Sequence, residues 1–183
     1  MRSFKHLISL SVLVIALSVG GVAQAAHQAG SWELRADMAP FGASTGGAGQ
    51  SVTRGFVIGE GFTSFALLGG AGYFIMTNLE VGGQGGFSYY KPDNVDGIVT
   101  VPLLAIGRYH IDITGNMAAV VGGGAGIVIN DPGDTGIDLN IQGGIEYFLT
   151  KAWAIHATAF LDIYHLSDTN LGFGVTYGLS TYF

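Results

Sequence analysis

The 183-residue chain contains no cysteine. A disulfide framework, a thiolate metal site and a cysteine nucleophile are therefore excluded. Charge is also scarce: Asp, Glu, Lys and Arg supply 11% of the residues, with 13 acidic against seven basic. A chain this short of positive charge lacks the basic footprint of a nucleic-acid binder, so no nucleic-acid partner is expected. Prolines number only four, against 31 glycines and a hydrophobic share of 49%, and mean hydropathy is +0.45. The glycines follow no three-residue period, which excludes a collagen-like rod, and such hydropathy is foreign to a soluble disordered chain. Length allows one domain.

Part of the hydropathy belongs to an expected export signal at residues 1–25. Arg2 and Lys5 make a positive start, Leu7 to Val19 an apolar run broken only by serines, and Ala23-Gln24-Ala25 offers small residues where a signal peptidase reads them. The apolar run falls short of the ~20 residues of a membrane-spanning helix, so cleavage after Ala25 is expected rather than retention as an anchor. Losing Arg2 and Lys5 from the seven basic residues leaves five against 13 acidic ones, a formal charge of −8 on residues 26–183.

No later segment is apolar for long enough to form a second spanning helix, so the remaining hydropathy is spent on alternation. From Leu171 to Phe183 the odd positions read Leu, Phe, Val, Tyr, Leu, Thr, Phe, whereas the even ones are mostly glycine or hydroxylated residues. Ile137 to Phe148 and Trp153 to Tyr164 repeat the split, as do Trp32, Leu34, Ala36 and Met38 against Ser31, Glu33, Arg35 and Asp37. Successive side chains of a strand point to opposite faces, so one face is apolar and the other polar or small.

This period places eight strands at about 30–39, 62–74, 79–90, 98–110, 117–129, 137–148, 153–164 and 171–183. Their length suits the ~9–11 residues with which a tilted strand crosses a bilayer. Short connections (Ile75 to Asn78, Ile111 to Asn116, Leu149 to Ala152) alternate with longer ones, the longest a Gly- and Ser-rich segment from Ala39 to Gly61. Short turns on one side and long loops on the other are the plan of an outer-membrane barrel. Outward aromatics gather at both ends, with Trp32, Tyr73, Tyr109, Tyr147, Trp153 and Phe183 at the turn side and Phe65, Phe87, Tyr89 and Phe173 toward the loops, as in two interfacial girdles. A soluble sandwich would show turn signals every 8–12 residues, and here the spans repeat nearer eighteen. The expected fold is all-β, an eight-stranded antiparallel up-and-down transmembrane β-barrel. The inward face of Met117 to Ile129 cannot be read, because both of its faces are apolar or glycine.

The segments from Gly72 to Gly82 and from Glu146 to Ile155 carry a "GYF, turn, apolar strand" unit, and the chain ends Gly178-Leu179-Ser180-Thr181-Tyr182-Phe183. These residues resemble the small outer-membrane β-barrel domain, the broad group that holds OmpA-like and OmpX-like barrels. The resemblance covers essentially all of residues 26–183. It implies an outer-membrane location among lipid and lipopolysaccharide, and a terminal strand in which Tyr177, Leu179 and Phe183 are read by the barrel-assembly machinery. It implies no activity, because the group is functionally mixed. No cell-wall-binding domain is expected after Phe183.

Inside such a barrel the alternation places the charges Glu33, Arg35, Asp37, Glu80 and Arg108. It adds Asp138, Glu146, Asp162 and His156, with His156 opposite Glu146 across a three-residue turn. Eight strands enclose an interior just wide enough for side chains to fill, so a charge network pairing across the lumen is expected rather than an open path. Inward glycines such as Gly82, Gly86, Gly172, Gly174 and Gly178 pull the other way, toward a narrow conduit. His165-Leu166-Ser167 at the outer end of the seventh span resembles the histidine and serine of lipid A deacylase barrels, but no acidic residue follows Asp168 to orient the imidazole. His156 and His165 fall on opposite faces, so no metal site is expected from them. The sequence thus reads as a monomeric, cofactor-free, non-enzymatic barrel with a structural or surface-interaction role through its loops. A porin-like conduit and an acyl hydrolase using His165 and Ser167 are the alternatives.

Overall fold

The computed structural model describes residues 27–45, 57–59, 62–92, 96–131, 133, 135–165 and 169–183. The export signal expected at residues 1–25, most of the long first loop, and Ser167 lie outside them. The described chain is built from strands: β1 (Trp32–Thr45), β2 (Val57–Gly59), β3 (Phe62–Met76), β4 (Leu79–Pro92), β5 (Ile98–Thr114), β6 (Met117–Asp131), β7 (Thr135–Phe148), β8 (Trp153–His165) and β9 (Thr169–Tyr182). From β3 onward each strand pairs antiparallel with the next. β1 then pairs with β9 on one edge and with β3 on the other. The eight long strands therefore close on themselves, which removes the free edges of an open sheet.

The strands are longer than the alternation suggested. β5 runs on through Ile111 to Thr114, so the connection expected at Ile111 to Asn116 shrinks to Gly115 and Asn116. The loop expected from Ala39 to Gly61 contains the end of β1 and all of β2. Pro40, which has no N–H to give a ladder, falls at a break in β1. Register shifts between Met38 and Phe41, and β1 pairs with β3 only as far as Met38. β2 covers part of the edge of β3 beyond that point, through Phe62 to Ser64. The tight β3–β4 turn is made by Thr77 and Asn78, and Asn78 takes a φ of 68° that few residues other than glycine tolerate as readily.

Alternation becomes an inside and an outside. Along β7, Leu139, Ile141 and Ile145 are 48%, 61% and 53% exposed, whereas Asp138, Asn140, Gln142 and Glu146 are buried. The arrangement inverts a soluble protein: the large apolar side chains face out and the charges face in. A contiguous apolar exterior on a closed barrel is a surface for lipid. Trp32, Tyr73, Tyr109, Tyr147, Trp153 and Phe183 are all exposed near the turn side. Toward the loops Phe87 and Phe173 are exposed, and Phe65 is half-buried because its ring meets Phe87 edge-on at 5.3 Å. The face of β6 that the sequence leaves unread resolves as Ala118, Val120, Val128 and Asn130 buried.

Candidate functional site

The interior is stacked in tiers. At the turn side, Phe74, Ala118, Phe148, Ala154 and Tyr182 form a ring of buried apolar residues. His27, which precedes β1, sits among them, its ring centroid 5.4 Å from Phe74, 5.3 Å from Phe148 and 5.7 Å from Tyr182. Backbone bonds hold this segment in place: Gly30 N donates to Phe74 O at 2.8 Å, Phe74 N to Ser31 O at 3.0 Å, and Asn78 N to His27 O at 2.9 Å. The chain thus folds its own entry segment into one end of the barrel.

The charged tier lies directly above. Arg108 Nη2 donates to Glu33 Oε2 at 2.9 Å and to Glu80 Oε1 at 2.7 Å, so one guanidinium ties β1, β4 and β5 together. All three side chains are buried. Two glycines make the room. A Cβ at Gly72 would overlap the Glu80 carboxylate, and one at Gly122 would lie 2.8 Å from Arg108 Cγ. Gly72→Ala is therefore expected to displace Glu80 and to destabilise the barrel by about 1–3 kcal/mol, the usual scale for overpacking; the midpoint of denaturant unfolding measures it.

His156 lies opposite Glu146 in the β7–β8 ladder, but the two side chains do not pair with each other. His156 Nε2 lies 2.7 Å from Asp37 Oδ1 and its Nδ1 lies 3.1 Å from Ser180 Oγ, while Ser180 donates to Glu33 Oε1 at 2.5 Å. Opposed strand residues share a face without having to touch, and the lumen offers His156 better acceptors from β1 and β9. Glu146 turns instead to His110, 3.2 Å away, and to His27, at 3.4 Å. Arg35 donates to Asp37 twice, at 3.2 Å each time, and to Thr158 Oγ1 at 3.0 Å. Asp162 accepts from Asn140 at 2.6 Å, and Asp138 is buried one ladder step nearer the loops. Ser180, His156 and Asp37 have the residue types of a hydrolase triad, but Ser180 is fully buried and its proton is engaged by Glu33. That arrangement relays hydrogen bonds between strands and presents no nucleophile.

Three members of the tier escaped the sequence reading. His110 follows Arg108 by two positions and closes the expected span 98–110, so alternation alone places it on the same inward face. Ser180 stands among the glycine and hydroxylated residues at the even positions of Leu171 to Phe183, where only its parity marks it as inward. His27 precedes every strand, and no periodicity reaches it. At the other end His165 is exposed, at the last residue of β8. Tyr177, Leu179 and Phe183 all face outward.

A closed eight-stranded barrel, apolar outside and charged inside, defines the class as that of the small transmembrane β-barrels. Comparison with solved structures agrees. Neisserial surface protein A superposes with a TM-score of 0.64 at 15% identity, over 83% of this chain and 98% of that one. OprG from Pseudomonas aeruginosa gives 0.55 at 14% identity over 88% and 99%, and Ail, the attachment invasion locus protein of Yersinia pestis, gives 0.55 at 11% over 85% and 100%. No protein-family model and no curated protein sequence matches the chain. The chain therefore has the fold of the small eight-stranded outer-membrane barrels, and likeness at this level of identity carries the fold alone.

Proposed function

We propose that the protein is an integral outer-membrane barrel whose interior is a structural charge network, and that it works through the surface segments joining its strands. The observation that carries this reading is the crossing of the lumen by Arg108, which bonds carboxylates from two other strands, above a turn-side end filled by His27 and its aromatic ring. An interior tied and stoppered in this way supports a barrel that does not conduct. Lipid and lipopolysaccharide would cover the apolar exterior, and the assembly machinery would read the outward Tyr177, Leu179 and Phe183. The expected result in planar bilayers is no steady single-channel conductance from the refolded protein. Regular conductance steps would favour a conduit. The feature that speaks for that second reading is the loop-side lumen, where Thr100, Asn130, Asn140 and Gln142 make a polar lining. Asn140 Oδ1 and Gln142 Nε2 have no protein partner there, which suits water in the upper half of the barrel.

An acyl hydrolase at His165 and Ser167 has less support, since the triad-like residues inside the barrel are sealed and no acidic group on the next strand follows His165. Mass spectrometry of lipid A from cells with and without the protein is expected to show the same acylation. A deacylated species that vanishes with Ser167→Ala would make the protein an enzyme.

A further inference from the structure

We propose that His27, His110 and Glu146 form a binding site for one divalent transition-metal cation of the Zn2+ type, closed into the turn-side end of the barrel. The argument begins with proton counting. His27 Nδ1 faces Asp112 Oδ1 at 3.3 Å and His27 Nε2 faces Glu146 Oε2 at 3.4 Å. His110 Nε2 faces Glu80 Oε2 at 3.1 Å and His110 Nδ1 faces Glu146 Oε2 at 3.2 Å. All four ring nitrogens are thus turned to carboxylate oxygens, which only accept. A neutral imidazole has one N–H, so one nitrogen of each ring would face a carboxylate lone pair to lone pair. Either each ring carries a second proton, or one cation sits where the three inner donors converge.

The geometry favours the cation. Metal–donor bonds of 2.0–2.2 Å in a tetrahedral site put neighbouring donors about 3.3–3.6 Å apart; His27 Nε2 lies 3.4 Å from Glu146 Oε2, inside that spacing, and His110 Nδ1 lies 3.2 Å from it, just short of it. The three ligand atoms lie within 4.8 Å of one another. His27 Nε2 has no hydrogen-bond partner in spite of its full burial, and neither does Glu146 Oε1. The outer nitrogens complete the pattern: a ligating histidine commonly gives its other N–H to a carboxylate, and here Asp112 and Glu80 stand in that position. Charge points the same way. Across the buried cluster, Glu33, Asp37, Glu80 and Glu146 face two guanidiniums, Arg35 and Arg108, which leaves an excess of two negative charges with neutral imidazoles. A divalent cation removes it. Two nitrogens and one oxygen suit Zn2+ better than Mg2+ or Ca2+, which prefer oxygen alone.

Because His27 arrives on the segment before β1, the metal would lock that segment into the barrel end, joining it to β5 and β7. The test uses untagged protein purified from membranes in detergent, stripped with chelator and titrated with Co2+. One Co2+ per chain is expected, with the visible absorption of a four- or five-coordinate ion, and Zn2+ should displace it. His27→Ala should abolish the absorption while the barrel stays folded, as read by heat-modifiable gel mobility. Asp112→Asn, a half-exposed position, should weaken binding by about tenfold, the scale for losing an outer-shell partner, and serves if His27→Ala does not fold. Absence of saturable Co2+ binding by folded wild-type protein would overturn the proposal and leave two protons as the compensating charge. Binding that survives both substitutions unchanged would overturn it equally.

Discussion

Arg108→Ala is expected to lower the unfolding free energy by about 3–5 kcal/mol, the scale for removing one partner from a buried ion pair. The cost arises from what remains: Glu33 and Glu80 would stay buried on β1 and β4 with no guanidinium between them. Arg35→Ala should cost less, although Arg35 is also buried. Arg35 pairs with one carboxylate where Arg108 pairs with two, and that one, Asp37, keeps its 2.7 Å contact with His156. Neutralising both partners along with the arginine, in Arg108→Met with Glu33→Gln and Glu80→Gln, should recover much of the loss, since replacing a whole buried network is far cheaper than breaking it. Denaturant midpoints of the folded protein in detergent or vesicles give the comparison. An Arg108→Ala midpoint equal to wild type would mean that the lumen is wet enough to solvate the freed carboxylates.

Ile141→Arg should destabilise the barrel by about 2–4 kcal/mol in a bilayer, the cost of a cationic side chain on the lipid face near the midplane. Ile141 stands in the middle of β7 and is 61% exposed. At so exposed a position in a water-soluble protein the same change would fall within about 0.5 kcal/mol, so the experiment separates a lipid-facing surface from a wetted one. Gln142, the next residue, is buried in the lumen. One step along the strand exchanges lipid for the barrel interior, and the same measurement in vesicles at Thr135, near the end of the strand, should give a smaller effect because the penalty declines toward the interface.

Much of this was legible along the chain. The two-residue period of Ile137 to Phe148 already assigns Ile141 outward and Glu146 inward, because a strand leaves its side chains no other choice than two faces. The same rule brings Glu33, Arg35 and Asp37 to one face of β1, and the three-residue turn after Leu149 puts His156 beside Glu146 in register. Pairing was not legible to that degree. Whether Glu146 meets His156 or His110 depends on how far each side chain reaches across the lumen, and Glu146 finds its partners on β5 and in the entry segment rather than on its own neighbour. His27 shows the limit most clearly. It lies outside any strand, two residues past the expected cleavage site, and only closure of the barrel brings it against Phe74, His110 and Phe148.

By itself the sequence determined the number of long strands, the facing of all of them except β6, and the preference of the outer surface for lipid, since each follows from local alternation and from the need to pair every backbone group. Tertiary structure alone decided which charges meet. Contacts across a lumen join residues far apart in the chain, such as Arg108 with Glu33 and Ser180 with Glu33, and their geometry is set by the stagger of eight strands around the barrel, which no single strand encodes.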